Sequence, residues 1–105
     1  EGSMQVEILE DGRIVLAGQN QLLAGSSLQT DTCVAHAISA TGVSRREAFD
    51  MAGLNPARLL NFETIELKPG SRADLVFFHH DGPGHPLKIT ATLFQGAVRF
   101  GTLPG

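Results

Sequence analysis

Three of the four histidines, His79, His80 and His85, fall close together with Asp81 among them. They are the one cluster of metal-ligand residue types in the chain. A structural zinc ion needs four fixed ligands and a catalytic one three, at spacings that this segment does not match. Adjacent residues on a strand also point to opposite faces, so His79 and His80 could not converge there. A solvated loop is the expected role, with a metal site as the alternative. His36 falls on a helical stretch among Cys33, Ala37 and Ala40. No carboxylate stands three or four positions away to orient it, so it reads as a surface or packing histidine rather than a base. Cys33 is expected to be a small buried residue, since nothing nearby would favour a thiolate. Asp74 begins a strand after a turn, where a carboxylate caps free backbone N–H groups. The glycines form no phosphate-cradling loop between a strand and a helix. No catalytic set is assembled.

The elements that would position these residues are organised around residues 55–78, NPARLLNFETIELKPGSRADLVFF. Asn55 can cap a helix, Pro56 suits its first position, and Asn61 can take the left-handed conformation that ends it. Pro69-Gly70 is a turn, and residues 73–78 form an apolar run short enough for a buried strand. Upstream, residues 4–9 alternate apolar Met4, Val6 and Ile8 with polar partners, the period of a half-buried strand. Asp11-Gly12 then signals a hairpin that returns through residues 13–16. Residues 17–27 are rich in Gly, Asn, Gln and Ser and read as a loop, interrupted by Leu22-Leu23-Ala24. Such a loop either packs onto something or lines a site.

Helical spacing follows over residues 28–40, with Ser27 as cap, a stripe of Thr30, Val34, Ala37, Ile38 and Thr41, and Gly42 as stop. Ser44 and Glu47 have the spacing of a capping box, opening a helix that presents Ala48, Met51 and Ala52. Val34, Ile38, Ala48 and Met51 together make an apolar face larger than a small sheet is expected to cover. Residues 88–94 alternate and are β-branched, hence a strand. Gln95-Gly96 turns it back into residues 97–100, although Gln is a poor residue for positive φ.

A chain of 105 residues with ordinary apolar content is expected to form one domain. At that size it would bury roughly 65 % of its unfolded surface without disulfides. The formal charge of −3 argues against nucleic acid, and no stretch is long enough to cross a membrane. The single cysteine cannot form an internal disulfide, which favours the cytoplasm. Glu1-Gly2-Ser3 fits a cloning remnant or the interior of a longer chain.

Taken in order, several motifs resemble the C-terminal part of the metal-dependent amidohydrolases, and within them the N-acetylglucosamine-6-phosphate deacetylases. Leu23-Ala24-Gly25-Ser26, with Leu28 and Asp31, is similar to the LAGS-x-LT-x-D run of those enzymes. Asn55-Pro56-Ala57-Arg58 and the segment from Pro69 through Val76 are similar to the NPAR and PGK-x-ADLV signatures. Phe94-Gln95-Gly96-Ala97-Val98 is similar to the closing hairpin. The order and spacing cover nearly all of residues 4–100. Asn61, where the family prefers glycine, departs only at a turn. A larger departure is that no HxH motif, metal-bridging glutamate or base aspartate of the family's kind is present.

The resemblance implies the tail of such an enzyme, cut or separately expressed: the end of its TIM barrel plus part of the small β domain. The expected fold class is α+β, with a hairpin (4–16), a helical segment (28–60) and C-terminal strands (64–100). Hairpin and strands are expected to share one antiparallel sheet with the helices on a face. The implied parent reaction is hydrolysis of the acetamide of a phosphorylated amino sugar by a metal-activated water and an aspartate base. This chain would carry no catalytic residue, no metal ligand and no cofactor, the divalent metal (zinc or iron) being held elsewhere in the parent. Leu23, Ala24 and Gly25 would bind substrate. The implied partners are the rest of the barrel, the phosphorylated amino sugar and further copies in a homo-oligomer. The alternative is a stand-alone interaction module without catalysis; an upstream HxH motif would favour the enzyme, a genuine start at Met4 the module.

Overall fold

The computed structural model describes residues 4–105, and Glu1-Gly2-Ser3, read above as a remnant or an interior segment, lie outside the described residues. The fold is α+β. Strands β1 (Val6–Ile8), β2 (Ile14–Leu16) and β3 (Gln19–Gly25) precede helices α1 (Thr30–Thr41), α2 (Arg45–Ala52) and α3 (Leu54–Leu59). Strands β4 (Leu75–His79), β5 (Lys88–Phe94) and β6 (Ala97–Gly101) follow. The strands do not share one sheet. They form two three-stranded antiparallel meanders, β1-β2-β3 and β4-β5-β6. Each meander pairs only sequence neighbours, which closes short loops and costs less entropy than joining ends some 70 residues apart would.

The first sheet has a strand where a loop was expected. Residues 19–25 pair with β2, Leu16 opposite Gln19 and Val15 opposite Leu23, with irregular register between. Every residue of β3 is exposed, so no apolar face imprinted an alternation on its sequence. At the other end of β2, Leu9 N–H donates to the Arg13 carbonyl and Gly12 N–H to the Leu9 carbonyl. The Asp11-Gly12 hairpin therefore has a three-residue loop, with Gly12 at φ 88° supplying the left-handed position. Val15 is fully buried, but Met4, Val6 and Ile8 are exposed. The half-buried strand expected there has an uncovered apolar face.

The helices begin and end by local hydrogen bonding. Gln29, not Ser27, is the N-cap of α1 and makes no side-chain cap bond. Ser27 Oγ instead donates to the Gly12 carbonyl, tying the hairpin loop to the segment after β3. Gly42, at φ 75°, closes α1 through its N–H to the Ile38 carbonyl. At α2 the capping box forms in both directions: Glu47 N–H donates to Ser44 Oγ (3.1 Å) and Ser44 N–H to Glu47 Oε2 (3.3 Å). Asn55 does not cap α3. The N-cap is Gly53, whose carbonyl accepts the Ala57 N–H, and this moves Pro56 to the third helical position. Proline is tolerated there because the first four helical N–H groups have no partner within the helix. Asn61 ends α3 at φ 57°. Phe62 N–H reaches the Ala57 carbonyl (2.8 Å) and Asn61 N–H the Arg58 carbonyl (3.3 Å), the two bonds of a Schellman motif.

Asp74 holds the second sheet together at its tightest turn. In the two-residue loop between Phe94 and Ala97, both Gln95 (φ 50°) and Gly96 (φ 79°) are left-handed. That conformation is unfavourable for glutamine. It is held because Gln95 N–H donates to Asp74 Oδ1 (2.8 Å) and Gly96 N–H to the Ala73 carbonyl (3.0 Å). Arg72 Nε donates to the other carboxylate oxygen at 2.8 Å. The core lies between helices and this sheet: Val34, Ala35, Ile38, Ala48 and Leu87 are buried, with Val43, Phe49, Phe78 and Ile89 against them. Phe49 stacks on Phe78 at 5.0 Å between ring centroids. Val34, Ile38 and Ala48 are thus covered after all, by Leu87 and its neighbours. Of that face only Met51 remains open, at 52 % exposure.

The whole is more open than its length requires. Its accessible surface is 8182 Å². Size scaling gives about 5,700 Å² for a compact chain of this mass and an unfolded surface of about 16,000 Å², so about half is buried rather than the roughly 65 % expected. The radius of gyration, 17.1 Å, compares with about 13 Å for a compact domain of this length. Replacing Asp74 by Ala should destabilise the chain by about 1–3 kcal/mol, because the Gln95 N–H loses its acceptor while its backbone stays unfavourable. Thermal melting and amide exchange at Gln95 measure this; an unchanged melting temperature with a protected Gln95 amide would show that the carboxylate does not hold the turn.

Candidate functional site

The histidine segment does not converge. His79 ends β4 and is exposed, its Nε2 2.8 Å from Asp81 Oδ1, and His85 is exposed as well. His80 lies on the opposite side of the backbone and is buried, so the solvated-loop expectation fails for it. Gly84 N–H donates to Ser39 Oγ (2.8 Å), and the Ser39 hydroxyl donates to the Ala35 carbonyl (3.1 Å). These bonds tie the loop to α1, and the two ring nitrogens of the buried His80 find no hydrogen-bond partner. Among the described residues no group of three or more His, Cys, Asp and Glu side chains stands close enough to hold a metal ion. The donors present therefore do not fit a divalent metal centre. His36 is exposed, in keeping with a surface role. Cys33 is exposed too, not buried as expected; it lines an open apolar groove between α1 and α2 with Val34, Ala37 and Met51. Its place on the helix turns it one step away from the stripe that meets Leu87.

Leu23, Ala24 and Gly25 sit on β3 rather than in a loop, with Leu23 opposite Val15 and Gly25 opposite Ile14. They are not packed on the helices: Leu23 is 67 % exposed, and Ala24 and Gly25 are open. Gly25 adopts φ 151°, with no atom within 4 Å of where a Cβ would stand, so another molecule can approach its backbone. Leu23 and Gly25 border a groove of about 350 Å³ with Ser26, Ser27 and Leu28, and Asp11, Gly12 and Arg13 line it as well.

The share of Asp11, Gly12 and Arg13 in this groove is not legible in the sequence. Asp11-Gly12 announced a turn, but not that β3 would return along β2 and bring Leu23 beside it. Arg13 Nε donates to Asp11 Oδ2 at 2.8 Å, and Arg13 N–H to Asp11 Oδ1 at 3.1 Å. Arg13 Nη1 reaches the Asn20 carbonyl at 3.5 Å. The Arg13 backbone N–H, and after it the guanidinium, hold the Asp11 carboxyl below its ordinary value of 3.8. The groove thus pairs an apolar wall with an ionised donor–acceptor wall.

The model of the amidohydrolase family matches residues 4–101. This chain belongs to the amidohydrolase family. The amidohydrolase chain is 39 % identical over 88 residues to an N-acetylgalactosamine-6-phosphate deacetylase of Escherichia coli O157:H7, covering 70 % of this chain and 23 % of that protein. To the N-acetylglucosamine-6-phosphate deacetylase of Bos taurus it is 39 % identical over 99 residues, and to that of Homo sapiens 38 %. Each of those matches covers 92 % of this chain and 22 % of the relative. The chain spans about half the length of one further Escherichia coli relative and less than a quarter of the three just named. No solved structure matches. Among the described residues, no helix is long and apolar enough to cross a membrane.

The depressed Asp11 value has a defined pH consequence. A carboxyl whose folded value lies below its unfolded one stabilises the fold above the unfolded value and loses that contribution as pH falls through the folded value. Followed by NMR, the Asp11 carboxyl should titrate with a midpoint below 3.8, and Arg13→Ala should move it part of the way back. A midpoint at or above 3.8 in the unaltered chain would contradict the hydrogen bonding described.

Proposed function

We propose that this amidohydrolase chain is the C-terminal portion of a deacetylase that hydrolyses the acetamide of a 6-phosphorylated amino sugar. On this reading it comprises the end of a TIM barrel with part of a small β domain. The carrying observation is the 38–39 % identity to N-acetylglucosamine- and N-acetylgalactosamine-6-phosphate deacetylases along most of the chain. The open surface supports it: Met4, Val6, Ile8, Leu59, Leu60 and Phe100 lie exposed, as suits a chain packed against the rest of a larger enzyme. The single cysteine, without an internal partner, suits a reducing compartment such as the cytoplasm.

In that enzyme Leu23, Ala24 and Gly25 line the sugar pocket. Leu23 offers an apolar surface to a sugar face, Ala24 leaves room for the ring or acetyl group, and Gly25 admits close backbone approach. None of the three supplies chemistry. The metal ligands and the base belong to the remainder of the enzyme, since the donors among the described residues do not converge.

Two experiments test the reading. In the complete enzyme, Ala24→Phe should raise KM for the phosphorylated amino sugar by about tenfold or more, by filling the pocket, with little change in melting temperature. Unchanged kinetics with lower thermal stability would mean that the segment only packs. The isolated chain should release no acetate from N-acetylglucosamine 6-phosphate above the no-protein control and should take up no stoichiometric zinc at submicromolar concentration. Turnover or tight zinc binding would place the catalytic residues within this chain and refute the assignment.

A further inference from the structure

The Asp11–Arg13 pair sits on an exposed hairpin loop, its side chains 57 % and 51 % exposed. An ion pair so open to water adds little to stability. Its position is nonetheless well fixed. Ser27 Oγ holds the Gly12 carbonyl, Arg13 Nη1 reaches Asn20, and Gly18 N–H donates to Glu7 Oε1 at 3.2 Å across the same sheet. Among the described residues, Arg13 is the one cation lining the groove that Leu23 and Gly25 border. Of its five N–H donors, Nε is taken by Asp11 and one Nη1 hydrogen leans to Asn20, which leaves three to meet a ligand.

We propose that Asp11 and Arg13 recognise the C3–C4 diol of the amino-sugar substrate, in the groove they share with Leu23 and Gly25. The inference rests on the reading that the Leu23–Gly25 segment lines the sugar pocket. The chemistry of the pair chooses the diol over the phosphate. A phosphate dianion seeks net positive charge and only donors, whereas Asp11 stays ionised and repels it. A vicinal diol offers two hydroxyls, each able both to donate and to accept. A carboxylate beside a guanidinium matches that pattern with no net charge. Leu23 and Leu28 provide the apolar surface that the C–H face of a pyranose requires, so the groove suits a sugar better than a free anion.

The test uses the complete enzyme with two substrates, N-acetylglucosamine 6-phosphate and its 3,4-dideoxy analogue. In the unaltered enzyme the analogue should show a KM about tenfold higher or more, the loss expected for charge-assisted hydrogen bonds. Arg13→Ala and Asp11→Asn should each raise KM for the parent sugar toward that level and leave the analogue's KM where it was. Asp11→Asn keeps the shape of the side chain, and melting curves verify that both variants fold. Variants that shift both substrates equally, or neither, would overturn the inference while the pocket assignment stands. If Ala24→Phe in the same assay leaves KM unaltered, the pocket assignment itself falls and takes this inference with it.

Discussion

The burial of Val34, Ala35, Ile38 and Ala48 against Leu87 is the contact on which the C-terminal two thirds of the chain depend. It joins α1 and α2 to the second sheet, and no other buried cluster links helices to strands among the described residues. Five small or medium side chains are a thin core for this length. Truncating Ile38 or Leu87 to alanine would cost about 2–5 kcal/mol each, a large share of the stability such a chain can have. Everything else is positioned by hydrogen bonds at element ends. The capping box at Ser44 orients α2, the Schellman motif at Asn61 turns the chain out of α3, and Asp74 fixes the β5–β6 turn.

The thin core and the open surface are two aspects of one property. Apolar residues are plentiful, yet much of their area faces outward on β1, β3, β6 and the end of α3. Two of the relatives this chain matches are several times its length, and on the reading proposed above such faces are where further chain would pack. The first sheet is the clearest case. Only Val15 is buried in it, and its hydrogen bonding is entirely local. It stands as a scaffold that presents the Leu23–Gly25 strand and the Asp11–Arg13 loop side by side.

Much of this was legible in the amino-acid sequence because it depends on residues close together in the chain. The strand at residues 88–94, the capping box, the glycine stop of α1 and the left-handed Asn61 all follow from local backbone chemistry, which a short window of sequence contains; that Asp74 caps an N–H was legible too, but its partner Gln95 lies 21 residues on. The α+β class follows from the order of such windows, and family membership from the order of the motifs. What the tertiary structure decided concerns partners distant in sequence. Strand β3 exists because β2 lends it hydrogen bonds, although its own residues show no strand pattern. His80 is buried and Cys33 is exposed, and the loop after β4 is tied to α1 through Ser39, outcomes that no local pattern announces. Division into two sheets, and the groove that Arg13 and Leu23 both line, were settled in the same way. Local propensity says what a segment can form, and only the assembled chain says which face finds cover.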